Sequence, residues 1–104
     1  MNHDVPWPQE RIDDFCRRWR IERLELFGSV LREDFHAGSD VDILVTFTPE
    51  AQWSLLDHIR MEEELSDLLG RKVDLVSRRA VERSRNPIRR EGILSETEVV
   101  YEAR

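Results

Sequence analysis

The sequence predicts an α/β or α+β domain, a β-sheet with helices packed on it. Two stretches, 8–20 and 53–69, carry apolar residues at three- and four-residue spacing, as helices with one buried side do. Short runs at 21–27, 41–47 and 72–77 are rich in β-branched or alternating apolar residues, as strands are. The two kinds of segment alternate along the chain, the order that builds layered sheet domains. A length of 104 residues fits one compact domain covering 1–104. Such a domain hides roughly two-thirds of its unfolded surface, enough for one sheet and its helices.

In the first helix Ile12, Phe15, Cys16 and Trp19 form the apolar stripe. Pro8 suits the first turn, where an N–H is not needed. Cys16 reads as a small buried hydrophobe on that stripe. The strand 21–27 ends in Gly28-Ser29, and 29–33 reads as the first turns of a short helix. Residues 36–39 form a loop that turns at Gly38. The strand 41–47 is stopped by Thr48 and Pro49. On the long helix 53–69, Leu55, Ile59, Leu65, Leu68 and Leu69 share one broad side, Glu62 interrupts it, and Gly70 is the C-terminal stop. After the strand 72–77, residues 79–96 are polar and arginine-rich, with a helix start at Asn86-Pro87. Residues 99–102 read as a final edge strand.

Charged residues make up 37% of the chain and the formal net charge is −6. That balance argues against direct nucleic-acid binding, which draws on a surplus of Lys and Arg against phosphates. Cys16 is the single cysteine, so an internal disulfide and a cysteine-based zinc site are both excluded. Residues 1–8 show neither a basic start nor an apolar run, and no segment has the length of a membrane span. The expected location is the cytoplasm, without a membrane partner.

The chemistry concentrates between Gly28 and Val45. Asp40 and Asp42 lie two apart at a strand start, so both side chains take one face while Val41, Ile43, Val45 and Phe47 take the other. Two like charges side by side are unfavourable unless a cation lies between them. Hard oxygen ligands at this spacing suit Mg²⁺ or Mn²⁺, which take their remaining ligands from water and substrate phosphates. Asp74 alternates with Val73 and Leu75 on the later strand. If that strand lies beside 41–47, three carboxylates converge, enough to bridge two metals. A strand that ends in Gly28-Ser29 and turns into a helix offers backbone N–H groups to anionic oxygens, and the serine hydroxyl adds a donor. Together these describe a triphosphate held between a Gly-Ser turn and two metals.

A lone Asp-x-Asp is weakly specific, and Asp40 by itself reads as well as a loop-end residue. The ordered set is much more specific. Gly28-Ser29, ten residues, then Asp40-Val41-Asp42 resembles the signature of the minimal nucleotidyltransferases (MNT domains) of the DNA polymerase beta-like superfamily. The resemblance continues through Gly70-Arg71-Lys72-Val73-Asp74-Leu75-Val76 and so covers most of the chain. It implies a single nucleotidyltransferase domain with a mixed sheet flanked by helices. It also implies an antitoxin, paired with a HEPN-domain ribonuclease toxin, that transfers AMP from ATP onto a tyrosine of that toxin. Asp40 and Asp42 would then bind both metals. Asp74 would complete the catalytic metal site and help deprotonate the tyrosine, and Gly28 and Ser29 would bind the β- and γ-phosphates. Two alternatives stay open, an antitoxin acting by association alone and a small-molecule enzyme of the aminoglycoside nucleotidyltransferase type. Few residues follow Asp74 to build a drug pocket for the latter.

Other residues carry weaker signals. Arg32, one turn past Gly28-Ser29, can reach a phosphate or brace Asp40, and equally can pair with Glu33 or Asp34. His36 and Ser39 read as solvated or capping loop residues, and His58 as a surface or packing histidine. The tract Arg78, Arg79, Arg83, Arg85, Arg89 and Arg90 reads as a solvated face paired with Glu82 and Glu91. It would also suit docking of an acidic partner or of the nucleotide.

Overall fold

The computed structural model describes residues 5–31 and 38–103, with the side chain of Ser29 outside that description. Arg32 and His36 fall among the residues not described. The first helix, α1 (Gln9–Arg18), buries Ile12, Phe15 and Cys16, the stripe its spacing predicts. Pro8 is its N-cap rather than its first helical residue, and its carbonyl accepts from the Ile12 N–H at 2.9 Å. The chain then reverses through Arg20, at φ 54°, into strand β1 (Ile21–Phe27). The Thr48 N–H donates to the Arg20 carbonyl at 2.9 Å and holds that left-handed residue in place.

β1 runs into a 3₁₀ turn, Gly28–Leu31, where a short helix is expected to start; residues 32 and 33 of that expectation lie outside the described residues. Then come β2 (Val41–Phe47), α2 (Leu55–Leu69) and β3 (Val73–Ser77). Two short helices follow, α3 (Arg78–Glu82) and α4 (Pro87–Leu94), and β4 (Glu98–Glu102) closes the described chain. The polar tract after β3 is therefore ordered into helices. Asn86 caps the second, its Oδ1 accepting from the Arg89 N–H at 3.1 Å with Pro87 at the first turn.

The four strands lie in the order β3-β2-β1-β4. β2 and β3 are parallel, joined through α2, while β1 pairs antiparallel with both β2 and β4. The sheet is mixed and flanked by helices, as expected. One face carries Leu24, Leu26, Val41, Ile43, Val45, Val73 and Leu75 into the main core against α1 and α2. The other carries Phe27 and Leu44 against Val81 of α3, with Ile93 and Leu94 of α4 half-buried beside them.

α2 departs from its expected stripe. Met61, Leu65 and Leu69, four apart, are its buried line. Leu55 and Ile59, expected on the inner side, are 78% and 43% exposed. Burying three such side chains contributes at most about 5–9 kcal/mol, enough to fix the helix against the sheet without its first turn. Its start is set by Ser54, whose Oγ accepts from the Asp57 N–H at 3.2 Å while the Asp57 carboxylate accepts from the Ser54 N–H at 3.0 Å. Its end is Gly70 at φ 64°, the left-handed cap expected there. Glu62, which interrupts the apolar side, has a structural partner: its Oε2 accepts from the Leu75 N–H at 2.8 Å. Among the described residues, no helix is long and apolar enough to cross a membrane.

Candidate active site

The second face of the sheet has a row in which Phe27, Asp42 and Asp74 are register partners on β1, β2 and β3. Parallel pairing of β2 with β3 thus sets Asp74 directly beside Asp42. The expectation that three carboxylates converge depends on that pairing, which the sheet has for Asp42 and Asp74, while Asp40 does not close with them into a metal-holding group of three. Asp42 is half-buried and Asp74 exposed. Asp40 is exposed and immediately precedes β2. The Val41 N–H donates to the Lys72 carbonyl at 2.9 Å, so the strand starts that carry the aspartates are sewn together.

Gly28 adjoins Asp42 from the other side. A Cβ built on Gly28 would lie 2.4 Å from Asp42 Oδ2, and the residue has φ 72°. Both the left-handed backbone and the close carboxylate require glycine here. Gly28 therefore serves first to let Asp42 sit against the end of β1. Ser29 follows in the 3₁₀ turn. The structure thus brings Gly28, Asp42 and Asp74 together across three adjacent strands, with Asp40 at the mouth of the middle one.

The residues fit a divalent cation by donor chemistry. Asp40 and Asp74 have no ion-pair partner among the described residues, and neighbouring carboxylates favour a cation between them. Among the described residues, no three His, Cys, Asp or Glu side chains are already drawn together tightly enough to hold a metal. The carboxylates share an edge of the sheet rather than a closed cage, which suits a metal that completes its shell from phosphate and water.

Three supports were not read from sequence. Arg71 Nη2 donates to the Ser39 carbonyl at 2.7 Å, tying the loop before Asp40 to the start of β3. Glu25, 3% exposed, lies on the same sheet face as Phe27, two residues along β1. Its two oxygens accept from Arg78 Nη1 and Thr97 Oγ1, each at 2.7 Å. That network joins α3 and the entry to β4 to the central strand. It also commits Arg78, which bonds Glu82 as well, to structure rather than to a partner. The third support lies along the outer edge of β3, where α2 side chains bond the backbone around Asp74. Glu62 shows in the sequence as a charge interrupting an apolar helix side, and the same kind of signal, a charge within the apolar run of β1, could have found Glu25.

Comparison with known proteins identifies the family and the fold. The family described as nucleotidyltransferase domain matches residues 9–100. A provisionally named protein adenylyltransferase of Methanocaldococcus jannaschii is 36% identical over 84 residues, 81% of this chain and 79% of that protein. Protein adenylyltransferase MntA of Thermococcus cleftensis is 48% identical over 59 residues, 57% of this chain and 58% of the relative. A solved structure provisionally named a minimal nucleotidyltransferase is 39% identical, with a TM-score of 0.62 over 85% of this chain and 84% of that one. A crystal structure of a toxin–antitoxin with AMP-PNP gives a TM-score of 0.69 over 93% of this chain and 75% of that one. At 20% identity the last likeness is one of fold. The family match runs from the first helix into the last strand, over a sheet that seats Asp42 between Gly28 and Asp74, and so the chain belongs to the nucleotidyltransferase domain family.

Proposed function

We propose that the chain is an antitoxin that transfers AMP from ATP to a tyrosine of a HEPN-domain ribonuclease toxin. The observation that carries this reading is the register pairing of Asp42 with Asp74, with Gly28 pressed against Asp42. Relatives named protein adenylyltransferase supply the class of acceptor, and the toxin–antitoxin neighbour with AMP-PNP supplies the class of partner and donor. Residues 1–104 act as one unit in this reading.

Asp40, Asp42 and Asp74 would hold Mg²⁺ or Mn²⁺, which when bound neutralises phosphate charge and lowers the pKa of a coordinated hydroxyl. The turn at Gly28 and Ser29 presents backbone N–H groups to the β- and γ-phosphates, and the missing side chain at Gly28 allows close approach. Arg32, three residues after Ser29 in the sequence, would add a cation for the same phosphates. Asp74, exposed at the edge of the row, faces the side from which the acceptor enters and takes the proton of the tyrosine hydroxyl. The tyrosine oxygen forms a bond to the α-phosphorus, the bond from that phosphorus to the pyrophosphate oxygen breaks, and pyrophosphate leaves. Glu25 and Arg78 stiffen the sheet behind this row.

A cell-growth experiment tests the reading. Cells that express the HEPN partner should recover when the wild-type chain is co-expressed and stay arrested with Asp42→Asn. Equal rescue by the variant would overturn transfer in favour of neutralisation by association alone.

A further inference from the structure

β3 is an edge strand, yet its outer side is not open. In a parallel ladder alternate residues direct their peptide groups to opposite sides. The Lys72 carbonyl faces β2, where it accepts from Val41, so Asp74 also faces β2 while Val73 and Leu75 face outward. Helix α2 meets those outward groups with side chains instead of a strand. Ser66 Oγ accepts from the Val73 N–H at 3.0 Å. Glu62 Oε2 accepts from the Leu75 N–H at 2.8 Å, and His58 Nε2 lies 2.7 Å from the Leu75 carbonyl oxygen. Ser66 in turn donates from Oγ to the Glu62 carbonyl at 2.7 Å, which fixes the rotamer that accepts from Val73.

The spacing is suited to the task. Residues 58, 62 and 66 recur every four positions on α2, one step round from the buried line 61, 65 and 69. One line packs the core and the other grips the strand edge. The grip falls on the two residues that flank Asp74. We infer that Glu62, with His58 and Ser66, is a positioning set for the nucleotidyl-transfer reaction, holding the backbone on both sides of Asp74 so that its carboxylate stays in register with Asp42. The catalytic part of this inference rests on the function proposed above. None of the three side chains needs to touch nucleotide or acceptor.

A sheet edge could have been covered more simply by an apolar helix. A half-buried carboxylate that accepts a backbone N–H binds it more strongly than a neutral acceptor does, and it pairs the Leu75 donor at the edge. A few tenths of an ångström of drift at Asp74 would loosen the pairing on which the reaction depends, because catalytic groups must be held to about half an ångström. The set should therefore affect turnover more than nucleotide affinity, which the Gly28 turn largely supplies.

The test compares Glu62→Leu, which removes the acceptor, with Glu62→Gln, which keeps one, in two measurements. Amide hydrogen exchange at Leu75, read by NMR, reports the grip itself. Steady-state transfer to the HEPN partner reports its consequence. For Glu62→Leu, exchange at Leu75 should speed up at least about tenfold and kcat should fall about tenfold. KM for ATP should stay within about twofold. Glu62→Gln should restore both readings to near wild type. If Glu62→Leu folds poorly, Ser66→Ala serves, with faster exchange at Val73 and a smaller fall in kcat. Faster exchange with unchanged kcat would overturn the positioning role, and unchanged exchange would overturn the grip. A wild-type chain that transfers nothing to the partner overturns the function and with it the catalytic half of the inference. The exchange rates would still decide whether the grip exists.

Discussion

Gly28 shows how much one position decides. Any side chain there meets Asp42 Oδ2 at 2.4 Å and takes a positive φ. Gly28→Ala should destabilise the fold by about 1–3 kcal/mol through strain alone. It should also lower transfer at least about a hundredfold, because relief of the clash displaces Asp42; thermal unfolding and initial rates check both. Cys16 makes a prediction of another kind. Burial, with Asp13 nearby adding to the effect, pushes its thiol from an ordinary 9.0 up to about 12. Unfolded, the thiol ionises near 9.0; folded, it stays protonated until about 12. A raised folded pKa means its contribution to stability is whole below 9.0 and is lost as pH rises towards 12. Denaturant midpoints from pH 8 to 11 should fall over that window, and the fall should be smaller in Cys16→Ala. A thiol reagent at pH 8 should label the native chain far more slowly than the unfolded one.

At the scale of elements, α2 gives the clearest test of local physics. The Ser54–Asp57 capping box satisfies two donors at its start, so Ser54→Ala should cost about 1 kcal/mol, read as a lower denaturant midpoint. Hydrogen bonds from Ser54 hold the Asp57 carboxyl below its ordinary value. That contribution is present above the ordinary carboxylate range and is lost as pH falls below it, so the cost of Ser54→Ala should shrink in acid. Much at this scale was legible. Periodicity gave α1 its buried Ile12, Phe15 and Cys16, alternation gave β2, and Gly70 gave the end of α2. What was not legible involves partners far along the chain. Glu62 looked like a fault in a helix face because its partner is the backbone of β3, and Glu25 owes its burial to Arg78 and Thr97. Leu55 and Ile59 lie exposed, and spacing marks an apolar side without saying how much of it the sheet covers.

At the scale of the whole molecule, the strand order does what no single element can. Three aspartates, a glycine turn and their spacing were visible in the sequence, but the meeting of Asp74 with Asp42 depends on a parallel crossover through α2. The side chain of Ser29 and the whole of Arg32 fall outside the described residues, so their place beside the phosphates stays a proposal. The surface outside the row is mixed. Leu55, Leu56 and Ile88 are exposed, and the arginine tract splits between Arg78, paired within the fold, and Arg79, Arg83, Arg85 and Arg89, which point to solvent. The proposed function comes down to nucleotide transfer from the Asp42–Asp74 row to a protein. It is tested most directly by the intact mass of the HEPN partner after incubation with this chain, ATP and Mg²⁺. With wild type the partner should gain the mass of one or more AMP groups, and with Asp42→Asn the gain should fall at least about a thousandfold in rate. An unmodified partner in a complex that binds ATP would contradict it.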